Sequence, residues 1–166
     1  MHSLDEAVQD FLAQGRIAVV GVSRMDTASP ANLIWRKLRK AGYETYAVNS
    51  QADEIEGQRC YRSLSEIPGG VGAVVLAAPA AAAESVVDEC ARLRIRRLWM
   101  HRSFGTGSVA PAAVKRAHTL GINVIAGVCP MMYVPPVDFP HRCMKFILRL
   151  TGSLPVVREL DDAHES

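Results

Sequence analysis

Long apolar runs, paired cysteines, aromatic rings and an excess of charge of either sign are all scarce in this sequence. The longest apolar stretch, residues 73–83, is broken by Pro79 and falls well short of the ~20 residues that cross a bilayer. The opening, MHSLDEAVQDFLAQG, has no basic region ahead of an apolar one and carries Asp5, Glu6 and Asp10, which argues against a secretory signal. A soluble, cytoplasmic chain with no membrane partner is expected. Lys and Arg number 19 against 17 Asp and Glu, a net charge of +2. That balance is too small for nucleic-acid binding by bulk electrostatics. Cys60, Cys90, Cys129 and Cys143 form no Cys-x-x-Cys pair, so reduced and mostly buried thiols are expected rather than a disulfide framework. Aromatic residues make up only 6%, which suits helices packed on a parallel sheet better than a β-sandwich.

What is present is an alternation of short Val/Ile/Ala-rich runs with helical patterns. The length of 166 residues fits one domain, 1–166, with a core of about 16–130 and a Pro-rich, basic extension over 131–166. Ser3 with Glu6 forms a capping box for a first helix that Gly15 ends. Residues 16–22 (RIAVVGV) read as a strand buried on both faces. Ser29-Pro30 opens a second helix, with Leu33, Ile34, Leu38 and Ala41 on helical spacing. Residues 43–49, 73–78, 97–100 and 123–126 are four further strands, and 84–94 and 109–120 two further helices. Residues 50–63 are polar and loop-like, and no hairpin signal is evident. A last helix is expected over 139–150. The fold class that follows is α/β: a Rossmann-like open parallel sheet of about five strands, with helices on both faces.

In such a sheet, ligands bind outside the carboxyl ends of the strands. Those ends are Gly21-Val22-Ser23, Asn49-Ser50, Ala78-Pro79, His101-Arg102 and Gly127-Val128-Cys129. Gly21 allows close backbone approach, the helix start offers N–H groups to an anion, and Ser23 and Arg24 add a hydroxyl and a positive charge. The first loop therefore suits a phosphate or pyrophosphate. An ordinary NAD site fits poorly, because the full Gly-x-Gly-x-x-Gly is missing and Asn49 stands where a ribose-binding acid belongs. A catalytic constellation is hard to find. Cys129 as a nucleophile would need His101 or His141 as its base. His101, Cys129, His141 and Cys143 have no standard metal-ligand spacing. Met131-Met132-Tyr133 suits the core or a contact between copies, which leaves a homo-oligomer open.

The ordered series IAVVGVS, YAVN, GQRCYRSLSEIP, AVVLAAPA and VIAGVCP resembles the CoA-binding domain. That Rossmann-like domain forms the N-terminal part of the succinyl-CoA synthetase alpha subunit and occurs as small stand-alone bacterial proteins. The stand-alone group also shares stretches similar to WMHRSFGTGS and GVCPMMY. The resemblance implies coenzyme A, or an acyl-CoA, as the small-molecule ligand. It implies cofactor contacts from Gly21, Val22, Ser23 and Arg24 to the phosphates and from Asn49 and Ser50 to the nucleotide part. It further implies contacts from Ala78 and Pro79, and from Cys129 and Pro130 at the fifth strand. A Lys that often follows the family's second strand is absent from Val48-Asn49-Ser50-Gln51, and Arg24, Arg59 or Arg62 are the cations left to replace it. The synthetase's phosphohistidine region lies beyond this domain, so its ligase chemistry is not expected here. Binding without catalysis is the favoured function. A small enzyme acting on a CoA thioester, or a binder of another nucleotide such as NAD, is the alternative.

Overall fold

The computed structural model describes residues 3–102 and 107–136. The expected helix over 139–150, with His141 and Cys143, lies outside the described residues. The elements in chain order are α1 (Leu4–Leu12), β1 (Arg16–Val20), α2 (Pro30–Lys40), β2 (Glu44–Val48), β3 (Glu54–Ile55), β4 (Gln58–Tyr61), β5 (Ala73–Leu76), α3 (Ala83–Arg92), β6 (Arg97–His101), α4 (Pro111–Thr119) and β7 (Asn123–Val128). Short 3-10 turns occupy Leu64–Glu66, Ala80–Ala82 and Pro130–Met132.

The capping box at the start of α1 is present: the Glu6 N–H donates to Ser3 Oγ at 3.2 Å, and the Ser3 N–H donates to Glu6 Oε2 at 2.6 Å. α2 begins as its sequence dictates, with Pro30 at its first position and Ser29 as cap. The strands form one sheet in the order β3-β4-β2-β1-β5-β6-β7. Every pairing is parallel except β3 with β4.

Side chains alternate between two cores, as strand period requires. Ile17, Val19, Ala73, Val75, Trp99 and Ile125 pack on one face beneath Phe11 of α1 and Ile34, Trp35 and Leu38 of α2. Ala18, Val74, Leu76, Leu98, Met100 and Val124 pack on the other beneath Val86, Val87 and Cys90 of α3 and Ala113 and Ala117 of α4. Phe11 meets Trp99 edge-to-face with centroids 5.3 Å apart, and the Trp99 indole N–H donates to the Val128 carbonyl at 3.0 Å. The Trp99 ring nitrogen is thereby satisfied.

Two corrections concern the segment 50–63. It is not a plain loop, and a hairpin is present. β3 and β4 bring the sheet to seven strands instead of about five. They join through Glu56-Gly57, both with positive φ (52° and 71°), the backbone of a two-residue type I′ turn. The pattern was hidden because these strands are short and half of their residues, Glu54, Gln58 and Arg59, are exposed and polar. Their burial is supplied by Ile55, Cys60 and Tyr61 alone.

The chain runs outward from β1 to β2 on one side, then crosses to β5 on the other side of β1. The order of the sheet therefore reverses between β1 and β5. Here the two strand ends come very close. Gly21 has φ 105°, and a Cβ placed on it would lie 2.8 Å from the Ala78 nitrogen and 2.9 Å from the Ala77 carbonyl. Its lack of a side chain serves strand-to-strand approach, where the sequence suggested approach to a ligand. Gly21→Ala is expected to cost roughly 2–5 kcal/mol, combining a strained φ with contact against backbone that cannot rotate aside. Chemical denaturation measures this, and a loss within ~0.5 kcal/mol, ordinary for a surface change, would contradict it.

Candidate functional site

The switch point of an open α/β sheet is where a crevice forms between diverging loops. On one side lies the loop from Gly21 to Ser29. It is held by Asn32, a fully buried polar residue on the apolar face of α2. Asn32 Oδ1 accepts from the Ser23 N–H at 2.7 Å and the Ser29 hydroxyl at 2.7 Å. Its Nδ2 donates to the Ser23 carbonyl at 2.8 Å and to Glu56 Oε1 at 3.0 Å. All four hydrogen-bonding positions of the amide are filled. The Met25 and Asp26 N–H groups both donate to Ser23 Oγ, at 3.1 and 3.0 Å.

These bonds change the expected chemistry of the first loop. The N–H groups of Ser23, Met25 and Asp26 serve the loop itself and are not presented to an anion. Ser23 Oγ accepts two bonds within the loop, and its own proton remains to be donated. Arg24 is exposed at the same turn. Val22 is completely buried and shapes the loop from beneath.

At the end of β2, the Asn49 amide is also structural. Its Nδ2 donates to the Val22 carbonyl at 2.7 Å, and its Oδ1 accepts from the Gln51 N–H at 2.8 Å. Asn49 thus ties the first loop to the second, and Ser50 is exposed beside it. Beyond it, Arg62 grips Asp53 in a two-pronged pair at 2.8 and 3.0 Å. Arg62 holds the Asp53 carboxyl below its usual range by hydrogen bonding and charge, and Arg24 and Arg59 add smaller contributions. Arg62 contacts this carboxylate directly, and the charges of Arg24 and Arg59 act on it from farther off. The Arg62–Asp53 pair is solvent-exposed, so exchanging that carboxylate for another anion costs little.

On the other side of the switch point is an open cleft of about 420 Å³, lined by Pro30, Ala77, Ala78, Pro79, His101, Gly107 and Ser108. The Ser108 hydroxyl donates to the Ala78 carbonyl, and the Ser108 N–H donates to the His101 carbonyl at 2.9 Å. The β5, β6 and 107–108 backbones are thus joined. The register of β6 on β7 slips at this point: Met100 pairs with Ala126 but His101 with Val128, leaving Gly127 bulged. Bulges re-aim side chains beside functional sites. His101 is buried, and burial holds its imidazole down from 6.5 to about 4, so it is neutral at physiological pH.

The structure brings together Gly21, Val22, Ser23 and Asn49 through the bonds above, and Ala78 and Pro79 with His101. Cys129 and Pro130 do not line this cleft; both are buried, Cys129 completely, where the chain turns at Pro130–Met132. A nucleophilic Cys129 would need an accessibility that its thiol lacks. Burial likewise pushes the Cys90 thiol up to about 12. Cys60, Cys90 and Cys129 are buried, as their distribution suggested. Among the described residues, no group of three or more His, Cys, Asp or Glu side chains is arranged to hold a metal ion, and no helix is long and apolar enough to cross a membrane. Asn32 and Pro30 were missed as site-forming residues. The available signal for Asn32 was an amide one turn before Trp35 on the buried stripe of a helix.

An open, doubly wound sheet with its crevice at the switch point defines a nucleotide-binding α/β domain of the Rossmann type. The chain belongs to the CoA binding domain family, whose model matches residues 15–135. It is 33% identical over 91 residues to acetate–CoA ligase (ADP-forming) II of Archaeoglobus fulgidus, covering 54% of this chain and only 13% of the ligase. Among solved structures it is similar to a conserved hypothetical protein of Pyrococcus furiosus, with 32% identity and a TM-score of 0.60 over 69% of this chain and 94% of that one. It is also similar to a hypothetical protein of Pyrococcus horikoshii, with 27% identity and a TM-score of 0.69 over 78% of this chain and 88% of that one.

Two outcomes follow from this geometry. Asn32→Asp keeps the shape but removes both donors and sets a carboxylate against the Ser23 carbonyl and Glu56. A loss of about 2–4 kcal/mol at neutral pH is expected. A urea midpoint equal to the parent's would show that the amide does not hold the loop. For His101, the folded value lies below the ordinary one, so burial of the neutral ring favours folding fully above about pH 6.5. That contribution is lost as pH falls towards about 4. His101→Gln should flatten the pH dependence of the urea midpoint across this interval; an unchanged profile would assign the acid sensitivity to other groups.

Proposed function

We propose that this chain binds coenzyme A or an acyl-CoA across the carboxyl ends of β2, β1, β5 and β6, as a binding protein rather than a catalyst. The observation that carries the proposal is the crevice at the β1/β5 switch point, in a chain of the CoA binding domain family. Its two sides differ in a way that suits this ligand. The β2/β4 side carries Arg24, Arg59 and Arg62, with a Ser23 hydroxyl free to donate. The β5/β6 side is a cleft whose described lining residues carry no Lys, Arg, Asp or Glu. A molecule with phosphates at one end and a pantetheine arm at the other lies across both. In this proposal the phosphates meet Ser23, Arg24 and the arginines near Ser50. The arm runs past Gly21, Ala78 and Pro79. Val22 and Asn49 hold the loops in place, while Cys129 and Pro130 brace the end of β7 beside His101.

The arginines also address the missing Lys after β2, since charge-assisted bonds to phosphate are strong and Arg can make two at once. The apolar walls and the absence of a ribose-binding acid disfavour NAD.

Calorimetry and thermal unfolding with CoA, acetyl-CoA, NAD and ATP test the proposal. CoA at a hundred times its Kd is expected to add ~2.7 kcal/mol of stability. Stabilisation by NAD or ATP but not by CoA would overturn it. Arg24→Ala should weaken CoA binding by about 1.5–3 kcal/mol, or ten- to a hundred-fold, without lowering the unliganded Tm. An unchanged affinity would remove Arg24 from the site.

A further inference from the structure

We propose that the cleft beside His101 selects CoA bearing a free thiol or a short uncharged acyl group over CoA esters of dicarboxylic acids. This rests on the CoA proposal above and adds to it the class of acyl group.

The first support is the lining itself. Pro30, Ala77, Ala78 and Pro79 supply mostly apolar surface and no charged side chain. Ser108 lies on the wall, but its hydroxyl proton is committed to the Ala78 carbonyl. Among the described residues, His101 is the one ionisable side chain in the lining, and its burial favours the neutral form.

The second support is where the cations are. Arg24 follows β1, Arg59 lies on β4 and Arg62 follows it, all on the opposite side of the switch point from β5 and β6. A ligand whose phosphates use those arginines has none of them left for a carboxylate at its far end. Arg102 is the cation next in sequence to His101, and it is exposed to solvent.

A carboxylate brought against this lining gives up hydration and meets no cation among the described residues, which is costly. A methyl or ethyl group placed there loses nothing and covers apolar surface. The discrimination is therefore against charge and not against length.

The test is calorimetric titration of the full chain with CoA, acetyl-CoA, butyryl-CoA and succinyl-CoA. Butyryl and succinyl chains have the same carbon count, so the pair separates charge from size. CoA, acetyl-CoA and butyryl-CoA should bind within a few-fold of one another. Succinyl-CoA should bind at least ~10-fold more weakly, equivalent to ~1.4 kcal/mol. Pro79→Arg, which adds a cation on the exposed rim and leaves the core intact, should narrow the butyryl-to-succinyl gap. Succinyl-CoA binding as tightly as butyryl-CoA would overturn the charge selection and leave CoA binding standing. Butyryl-CoA as weak as succinyl-CoA would make size the limit and overturn it too. No binding of any of the four to folded protein, checked by circular dichroism, would overturn the CoA proposal and this one together.

Discussion

Asn32 is the polar group on which the site-forming loops converge. Its amide is buried completely, and its four bonds reach three parts of the structure: the amide and carbonyl of Ser23, the cap of α2, and the turn of the β3–β4 hairpin. A buried amide is costly when any valence is empty and strongly orienting when all are filled. The loop after β1 therefore has one arrangement consistent with a folded core. Asn49 repeats the device from the other side, tying Val22 to the turn after β2. Two asparagines, one on a helix and one at a strand end, turn three separate chain segments into one rigid rim.

That rim divides the molecule's upper surface by polarity. Arg24, Arg59 and Arg62 lie on the side where β3 and β4 extend the sheet, interleaved with Asp53, Glu54 and Glu56, and apolar surface lies where β5 and β6 end. The division follows from the order of the strands. Residues 50–63 are polar because they build an edge, and an edge can carry exposed arginines. Residues 73–80 are apolar because β5 is central, and the chain leaving it continues directly into the second core through Ala83. The glycine at position 21 allows these regions to meet, since any side chain there would push the end of β5 away.

Much of this was legible in the sequence, and the parts that were not have physical reasons. β1, β2, β5, β6 and β7 are signalled by runs such as IAVV and AVVL, which only a two-sided burial explains. Ser29-Pro30 announces α2 through cap chemistry. β3 and β4 escape notice because an edge strand needs few buried residues, and Glu56-Gly57 is a weaker turn signal than Asn-Gly. Of the residues at the strand ends, Ala78, Pro79 and His101 line the cleft, the Asn49 amide bonds to backbone, and Cys129 is buried before the turn at Pro130. An amide on a helix ordinarily reads as a surface residue, so Asn32 is recognisable only once its neighbours Ala31, Ile34 and Trp35 are known to be buried.

The hairpin also determines how the sheet ends. Its outermost strand is two residues long and carries the exposed Glu54, and the adjoining strand carries the exposed Arg59. Short, charged margins resist recruitment of a foreign strand. The chain therefore has at this margin a poor template for runaway association, and the surface that carries Arg59 and Arg62 is the same one that keeps neighbouring molecules from zipping onto it.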